Sequence, residues 1–442
     1  MAFCLLCLSL CSPDLLAAAL PREREVVVIT VDGVINPVAA EYIGKALKEV
    51  NGINAGALTG RSAGGRSPEH IEALVLRLDT PGGLDSSMRS IVRDIVASDV
   101  PVVVFVAPSG ARAASAGVFI TMAAHIAAMA PGTNIGAAHP VSVGRKMDKV
   151  MSEKVTNDAA AYIRSIARER GRNAEWAEEA VRKSVSITET EALKKNVIDL
   201  VAPDIKSLLS EIDGKEVKTA AGEQALRTSG AKVIEREMGI RDKILDFISN
   251  PDVAYILMLL GFYGLFFELT SPGAIFPGVV GGICLILGFY ALQTLPVNYA
   301  GLLLIVLGII LFVLEVKIIS HGLLTAGGLL ALVLGSLMLF ESSSPLFKLS
   351  LSTVLFAAFI TAAFFSLTVR LAYRAYKRKP VTGAEGLIGL EGTAKTEITH
   401  GGGMVFVHGE LWSAFSDEAI RSGEKVIVEE VKGLKVRVRK FS

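Results

Sequence analysis

Glu72-Ala-Leu-Val-Leu-Arg-Leu78 runs directly into Asp79-Thr80-Pro81-Gly82-Gly83, and residues 84–97 follow with helical spacing. An apolar run with so little alternation reads as a strand covered on both faces, as in a parallel sheet. Working outward, Val26-Val-Val-Ile-Thr-Val31 is another such run, residues 38–50 read as a helix, and Pro101-Val-Val-Val-Phe-Val106 is a third strand. Strand, helix, strand in this rhythm predicts βαβ units with right-handed crossovers. Further on, Thr188-Glu-Thr-Glu191 is a capping box opening a short helix that ends at Asn196. Val197-Ile-Asp-Leu-Val201 is a further expected strand. Residues 51–67, rich in Gly, Ala and Ser, are expected to form a surface loop, and the polar, mixed residues 213–240 a linker.

The solvent then changes. Residues 253–269, 274–295, 300–316, 323–340 and 351–373 are nearly free of charge, and each can cross a hydrocarbon layer of roughly 30 Å as a helix. Pro272-Gly273, Pro296 and residues 341–345 separate them, and Glu268 and Glu315 fall at span ends, as interfacial groups would. Arg370, Arg374, Lys377, Arg378 and Lys379 close the last span, so by the positive-inside rule that end is cytoplasmic. Five spans then place the preceding domain outside. The N-terminus agrees: an apolar stretch from Met1 to Cys11 followed by Ala17-Ala18-Ala19 reads as a signal peptide or N-terminal anchor over residues 1–24.

Composition fits this division. Of 442 residues, 51% are hydrophobic and only 20% charged, with Lys+Arg 45 against Asp+Glu 44 and a net charge of +1. So balanced a charge offers no field for nucleic acid. Cys4, Cys7, Cys11 and Cys284 have neither metal-ligand spacing nor a disulfide pattern, and read as apolar filler. After Pro380, glycines punctuate short alternating stretches such as Met404-Val-Phe-Val-His408 and Leu434-Lys-Val-Arg-Val-Arg-Lys440, which predicts a small closed β barrel of the OB type. Trp412 and Phe415 read as core residues rather than base-stacking platforms.

Two stretches between residues 25 and 212 can carry chemistry. Gly82 and Gly83 follow a strand and precede a helix, leaving backbone N–H groups unobstructed for an oxyanion. Ser115, in Ser109-Gly-Ala-Arg-Ala-Ala-Ser115-Ala-Gly-Val118, is crowded by small residues at the start of an expected helix, so a polypeptide could approach its hydroxyl. A serine needs a base. Lys154, just ahead of an expected helix over residues 158–170, can serve if burial keeps it neutral.

Taken in order, Asp79-Thr-Pro-Gly-Gly83, Ala114-Ser-Ala-Gly117, Ala130-Pro-Gly-Thr-Asn-Ile-Gly-Ala137 and Lys154-Val-Thr-Asn157 resemble the long-form NfeD proteins, membrane-bound serine proteases of the ClpP/crotonase-like superfamily. Gly386-Leu-Ile-Gly-Leu-Glu-Gly392, His408-Gly-Glu-Leu-Trp412 and residues 423–431 resemble that family's C-terminal OB-type domain. The resemblance implies an α/β ClpP/crotonase-like protease domain over residues 25–212, a linker over 213–250, a multi-span α-helical membrane domain over 251–376 and an OB-type domain over 383–442. It implies Ser115 as nucleophile and Lys154 as base, with Gly82, Gly83 and the Ala116 N–H stabilising the oxyanion. His139, in Gly136-Ala-Ala-His-Pro140, stands about where ClpP proteases keep a histidine and is the alternative base. Arg112, where smaller residues are expected, and residues 51–67 depart from the family pattern.

The expected function is an ATP-independent serine endopeptidase of the bacterial inner membrane, needing no metal or other cofactor. It would cleave apolar segments of membrane-associated proteins such as a stomatin-like membrane protein. Membrane lipid and further copies of the chain, as a homo-oligomer, are the other expected partners; nucleic acid is not. The competing reading is a non-catalytic membrane scaffold for stomatin-like proteins. A crotonase-type acyl-CoA enzyme fits poorly with five spans and an exported domain.

Overall fold

The computed structural model describes residues 24–58, 70–141, 148–270, 273, 275–293, 295, 297–318, 320, 322–340, 348–376 and 384–441. The expected leader (save Arg24, which opens the first strand), residues 59–67 of the expected loop, Pro272, Pro296, residues 341–345 and Lys377, Arg378 and Lys379 lie outside the described residues. The chain divides into two compact units, Met1–Ile360 and Thr361–Ser442.

The first unit opens with eleven strands: β1 (Arg24–Asp32), β2 (His70–Asp79), β3 (Val102–Val106), β4 (Arg112–Ala114), β5 (Ile126–Met129), β6 (Asn134–Gly136), β7 (Ser186–Thr188), β8 (Leu200–Val201), β9 (Glu216–Thr219), β10 (Gly222–Ala225) and β11 (Lys232–Arg236). Interleaved with them are α1 (Pro37–Leu58), α2 (Asp85–Val96), α3 (Ala116–Ala123), α4 (Lys149–Glu169), α5 (Ala174–Arg182), α6 (Glu189–Lys194) and α7 (Ile205–Glu211). The main sheet has the order β11-β1-β2-β3-β5-β8, and every neighbouring pair is parallel. Alternate residues feed two cores. Val27, Ile29, Leu74, Leu76, Val102 and Val104 pack on one face, and Val26, Val28, Val75, Val103 and Phe105 on the other. Both faces are covered, which is why the strands lack a polar side. A second sheet, β4-β6-β7, stands beside the ends of β2 and β3.

Three expectations are corrected. Helix α1 runs through residues 51–58, the first part of the expected loop. Asn54 holds it there, donating from Nδ2 to the Ile71 carbonyl and accepting the Ile71 N–H at Oδ1, both at 2.9 Å. Of residues 197–201, only Leu200 and Val201 join the sheet. The chain first turns at Asn196 (φ 55°), and the Val197 N–H is drawn back to the Ala192 carbonyl at 2.8 Å. The expected linker is folded: β9 and β10 form a hairpin, and β11 pairs in parallel with β1 at the sheet edge. An edge strand is half-covered, so Lys232-Val-Ile-Glu-Arg236 lacks the apolar run that marks its neighbours.

Helix α8 (Ile240–Ile248) leads to the apolar helices α9 (Pro251–Thr270), α10 (Ile275–Leu292), α11 (Tyr299–Lys317), α12 (Leu323–Leu339) and α13 (Leu351–Tyr376). Pro251–Leu269 and Ile275–Leu292 are each long and apolar enough to cross a membrane; Tyr299–Glu315, Leu323–Leu339 and Leu351–Leu367 are shorter apolar stretches. Glycines bring the backbones together: a Cβ on Gly301 would lie 2.8 Å from the Gly335 carbonyl oxygen, and one on Gly308 2.8 Å from that of Gly328. Tyr255 Oη and Ser336 Oγ share a buried 2.7 Å hydrogen bond. Glu315, near the end of α11 and buried, accepts from Ser320 Oγ at 2.6 Å and from the Gly322 and Thr325 N–H groups at 3.0 and 2.9 Å, and so caps α12.

In the second unit, β12 (Glu391–Ala394), β13 (Gly403–Val407), β14 (Glu410–Phe415), β15 (Lys425–Lys432) and β16 (Lys435–Lys440) close a barrel in the order β12-β13-β14-β16-β15. Val405, Val407, Val426, Val428, Val436 and Val438 alternate into its core. Trp412 packs partly against that core, its indole N–H directed at Glu410 Oε2 at 3.2 Å.

Candidate active site

The two glycine-rich stretches are joined by backbone bonds. Beyond the end of β2, the Thr80 N–H donates to the Arg112 carbonyl at 2.8 Å and the Thr80 carbonyl accepts from the Ala114 N–H at 3.0 Å. Asp79 Oδ1 accepts the Arg112 N–H at 3.0 Å. The loop that leads to Ser115 is therefore an extension of the strand that leads to Gly82.

Ser115 is the N-cap of α3, with φ 54° and ψ −112°. Side chains rarely adopt this backbone conformation, and such strain persists only where the surroundings enforce it. Here the Ser115 N–H is held by the Gly136 carbonyl at 3.0 Å, and its own carbonyl accepts from Val118 at 3.0 Å. Every residue of α3 is buried. Gly117 lets that helix approach the strand end, since a Cβ there would lie 2.7 Å from Thr80 Cγ2. The half-buried Ser115 hydroxyl thus stands at the positive end of a fixed helix.

The expected oxyanion donors differ in their engagements. The Gly82 N–H donates to Thr80 Oγ1 at 3.0 Å, and the Gly82 carbonyl accepts from Ile35 at 2.8 Å. Gly83 lies in a parallel bridge with Ile35, whose carbonyl accepts from Leu84 at 2.9 Å. Among the described residues, the Gly83 and Ala116 N–H groups have no acceptor, so these two donors stand open. Thr80, fully buried, fixes the Gly82 turn through its hydroxyl; sequence reasoning missed it because one threonine in a turn carries no signal.

Lys154 lies inside a helix rather than ahead of one. Asp148 caps α4, accepting the Met151 N–H at 2.7 Å, which places Lys154 in its second turn. Its side chain is exposed in the single chain, whereas the expectation was a dry surrounding; the fully buried residues of α4 begin only at Ala159. Lys154, Asp158 and Tyr162 share one face by four-residue spacing. That face turns toward α2 and α3. Asp158 pairs with Arg89, whose guanidinium also lies 4.5 Å from the centre of the Tyr162 ring, and Tyr162 stacks on Phe119 at 6.1 Å. His139, the alternative base, is half-buried, with Nδ1 2.9 Å from the Val181 carbonyl. A carbonyl only accepts, so in this contact Nδ1 is the donor.

The opposite end of α3 is clamped by residues that sequence reasoning also missed. Arg172 donates to the Met122 and Ala124 carbonyls, both at 2.8 Å, and to Asp199 Oδ2 at 2.6 Å, while Arg170 donates to the Ala123 carbonyl at 2.8 Å. Two arginines near a helix end look like ordinary surface charges in sequence. His125 sits beside them, accepting the Val102 N–H at Nδ1 at 3.1 Å. Burial, helped by the charges of Arg170 and Arg172, pushes it down to about 3.

Comparison with known proteins covers the same ground. Residues 26–220 match the family described as NfeD1b, N-terminal domain; residues 252–371 the NfeD integral membrane domain; and residues 384–440 the NfeD-like C-terminal, partner-binding domain. The chain is 38% identical over 379 residues to the membrane-bound protease PH1510 of Pyrococcus horikoshii, covering 83% of this chain and 86% of that protein. It is 28% identical over 218 residues to the membrane protein NfeD1b of Bacillus subtilis, covering 49% and 48% of the two chains. A solved Pyrococcus horikoshii membrane protease, described as specific for a stomatin homolog, is 33% identical with a TM-score of 0.42, covering 51% of this chain and 99% of its own. The chain therefore belongs to the NfeD family in its long form, as a membrane-bound serine protease.

Proposed function

We propose that Ser115 attacks the scissile carbonyl of a polypeptide and that Lys154 accepts its proton, with the Gly83 and Ala116 N–H groups receiving the oxyanion. The observation that carries this reading is the strained Ser115 at the head of a buried helix, with two open N–H groups on the flanking motifs. The strain and the open donors have no structural use of their own, and acyl transfer uses both. Lys154 is favoured over His139 because its helix face turns toward α2 and α3. An exposed ammonium must lose water to act as a base; in this reading a second copy of the chain or the bound substrate covers it.

The substrate class follows from placement. A catalytic domain directly preceding a membrane domain meets segments that leave a bilayer, and the match of residues 384–440 to a partner-binding domain supports a resident partner. A stomatin-like protein, cleaved in an apolar segment without ATP, is the proposed substrate. The proposed topology has five spans, the catalytic domain extracytoplasmic and the barrel cytoplasmic in a bacterial inner membrane. The test is cleavage of an apolar peptide by the full-length protein in detergent. Ser115→Ala should abolish cleavage and leave the folding stability within about 1 kcal/mol of wild type. Equal cleavage by both proteins removes the proposal.

A further inference from the structure

Helix α8 turns two carboxylates toward the catalytic domain and buries only Ile248, leaving an apolar stripe outside. Asp242 and Asp246, one turn apart, face the catalytic domain: Asp246 Oδ1 accepts from Asn36 Nδ2 at 2.7 Å, and Asp242 lies 3.5 Å from Lys45 Nζ. On the other side, Ile240, Ile244 and Phe247 fall on one stripe and are 81%, 53% and 67% exposed. Water contact over such a stripe is unfavourable, so an apolar medium must cover it.

Chain continuity identifies that medium. Pro251, the first residue of apolar helix α9, is four residues beyond Phe247. Four residues reach about 14 Å at most, so the end of α8 is held at the bilayer surface. Arg241 and Lys243 flank the stripe and are well exposed, as cationic residues are on helices lying at the level of lipid headgroups.

We propose that α8 is an interfacial helix, with Ile240, Ile244 and Phe247 sunk into the phospholipid surface while Asp246 grips Asn36. The grip leads to the active site. Asn36 Oδ1 also accepts the Ala39 N–H at 2.8 Å, capping α1. The preceding residue, Ile35, is bonded to the Gly82 carbonyl and to the Leu84 N–H. The membrane surface is thereby tied, through one asparagine, to the strand carrying Gly82 and Gly83.

The experiment uses the full-length chain in phosphatidylcholine–phosphatidylglycerol vesicles, with acyl chains plain or brominated and iodide optionally present on both sides. Phe247→Trp and, separately, Ile244→Trp add an indole whose emission is read after subtracting that of Trp176 and Trp412. The expected result is loss of most of the added emission in brominated vesicles and little loss with iodide. Glu235→Trp, on the exposed edge of β11, should show the reverse. Quenching of positions 244 and 247 by iodide but not by brominated lipid overturns the proposal. Protection from both quenchers overturns it too, and points to a second copy of the chain if dilution in lipid relieves it.

Discussion

A Cβ placed on Gly82 would lie 2.6 Å from the Cβ of Ser115, closer than carbon atoms approach. Gly82 also has φ 123°, which side chains avoid. Gly82→Ala must therefore push the serine from its place. A displacement of about 1 Å is enough to lower cleavage by roughly 10²-fold. The measurement is peptide cleavage by full-length Gly82→Ala protein alongside its circular dichroism. Near-wild-type turnover in the folded variant contradicts the contact.

The strain at Ser115 predicts a trade between stability and activity. A residue held at φ 54° and ψ −112° stores about 1–3 kcal/mol, which glycine largely relieves. Glycine returns about 0.5–1 kcal/mol of that through its freer unfolded chain. Ser115→Gly is expected to be inactive and to melt later, by roughly 2–4 °C for each net kcal/mol. Thermal scans against Ser115→Ala, which keeps the strain, isolate the backbone effect.

The choice of base is decided by the change that conserves charge. An arginine cannot give up its proton near neutral pH. Lys154→Arg should be as inactive as Lys154→Ala, with a loss of about 10²–10⁴-fold. His139→Gln, which loses only the hydrogen bond to Val181, should retain turnover at a cost of about 1 kcal/mol in stability. Retained cleavage by Lys154→Arg together with its loss in His139→Gln assigns the base to the histidine.

Acid should loosen the catalytic domain through His125. Its folded value, about 3, lies below the ordinary histidine value of 6.5, so between these limits the unfolded chain binds the extra proton. The neutral ring contributes its full stability above about pH 6.5, and that contribution is lost as the pH falls toward 3. The loss is at most about 1.4 kcal/mol per pH unit. His125→Asn keeps an acceptor for the Val102 N–H without the titration. Its melting temperature, measured from pH 7 to pH 4, should fall less steeply than that of wild type.

How much could be read in advance followed from burial. β1, β2 and β3 are apolar on both faces, so their sequences stand out. The capping box formed as written: Thr188 accepts from the Glu191 N–H, and Glu191 Oε2 accepts the Thr188 N–H at 3.0 Å. β11 was hidden because an edge strand needs no apolar run. The start of α4 was hidden because residues 149–154 lie mostly in water and carry no stripe. At the site, the Gly82 and Ser115 motifs lie side by side, joined by the backbone bonds of Thr80 to Arg112 and Ala114. Thr80, Arg170 and Arg172 act through hydrogen bonds to backbone groups that only the folded chain brings within reach.

The glycine contacts between α11 and α12 give these two helices a mutational logic opposite to that of the sheet. Lipid tails are as oily as leucine, so nothing squeezes two helices together in a bilayer, and close backbone contact must hold them. Trimming a bulky neighbour leaves such a seam intact, whereas one added methyl on Gly301, Gly308, Gly328 or Gly335 wedges it open. The vulnerable positions of the membrane domain are thus its smallest residues, and growth rather than loss of a side chain is the injury to expect there.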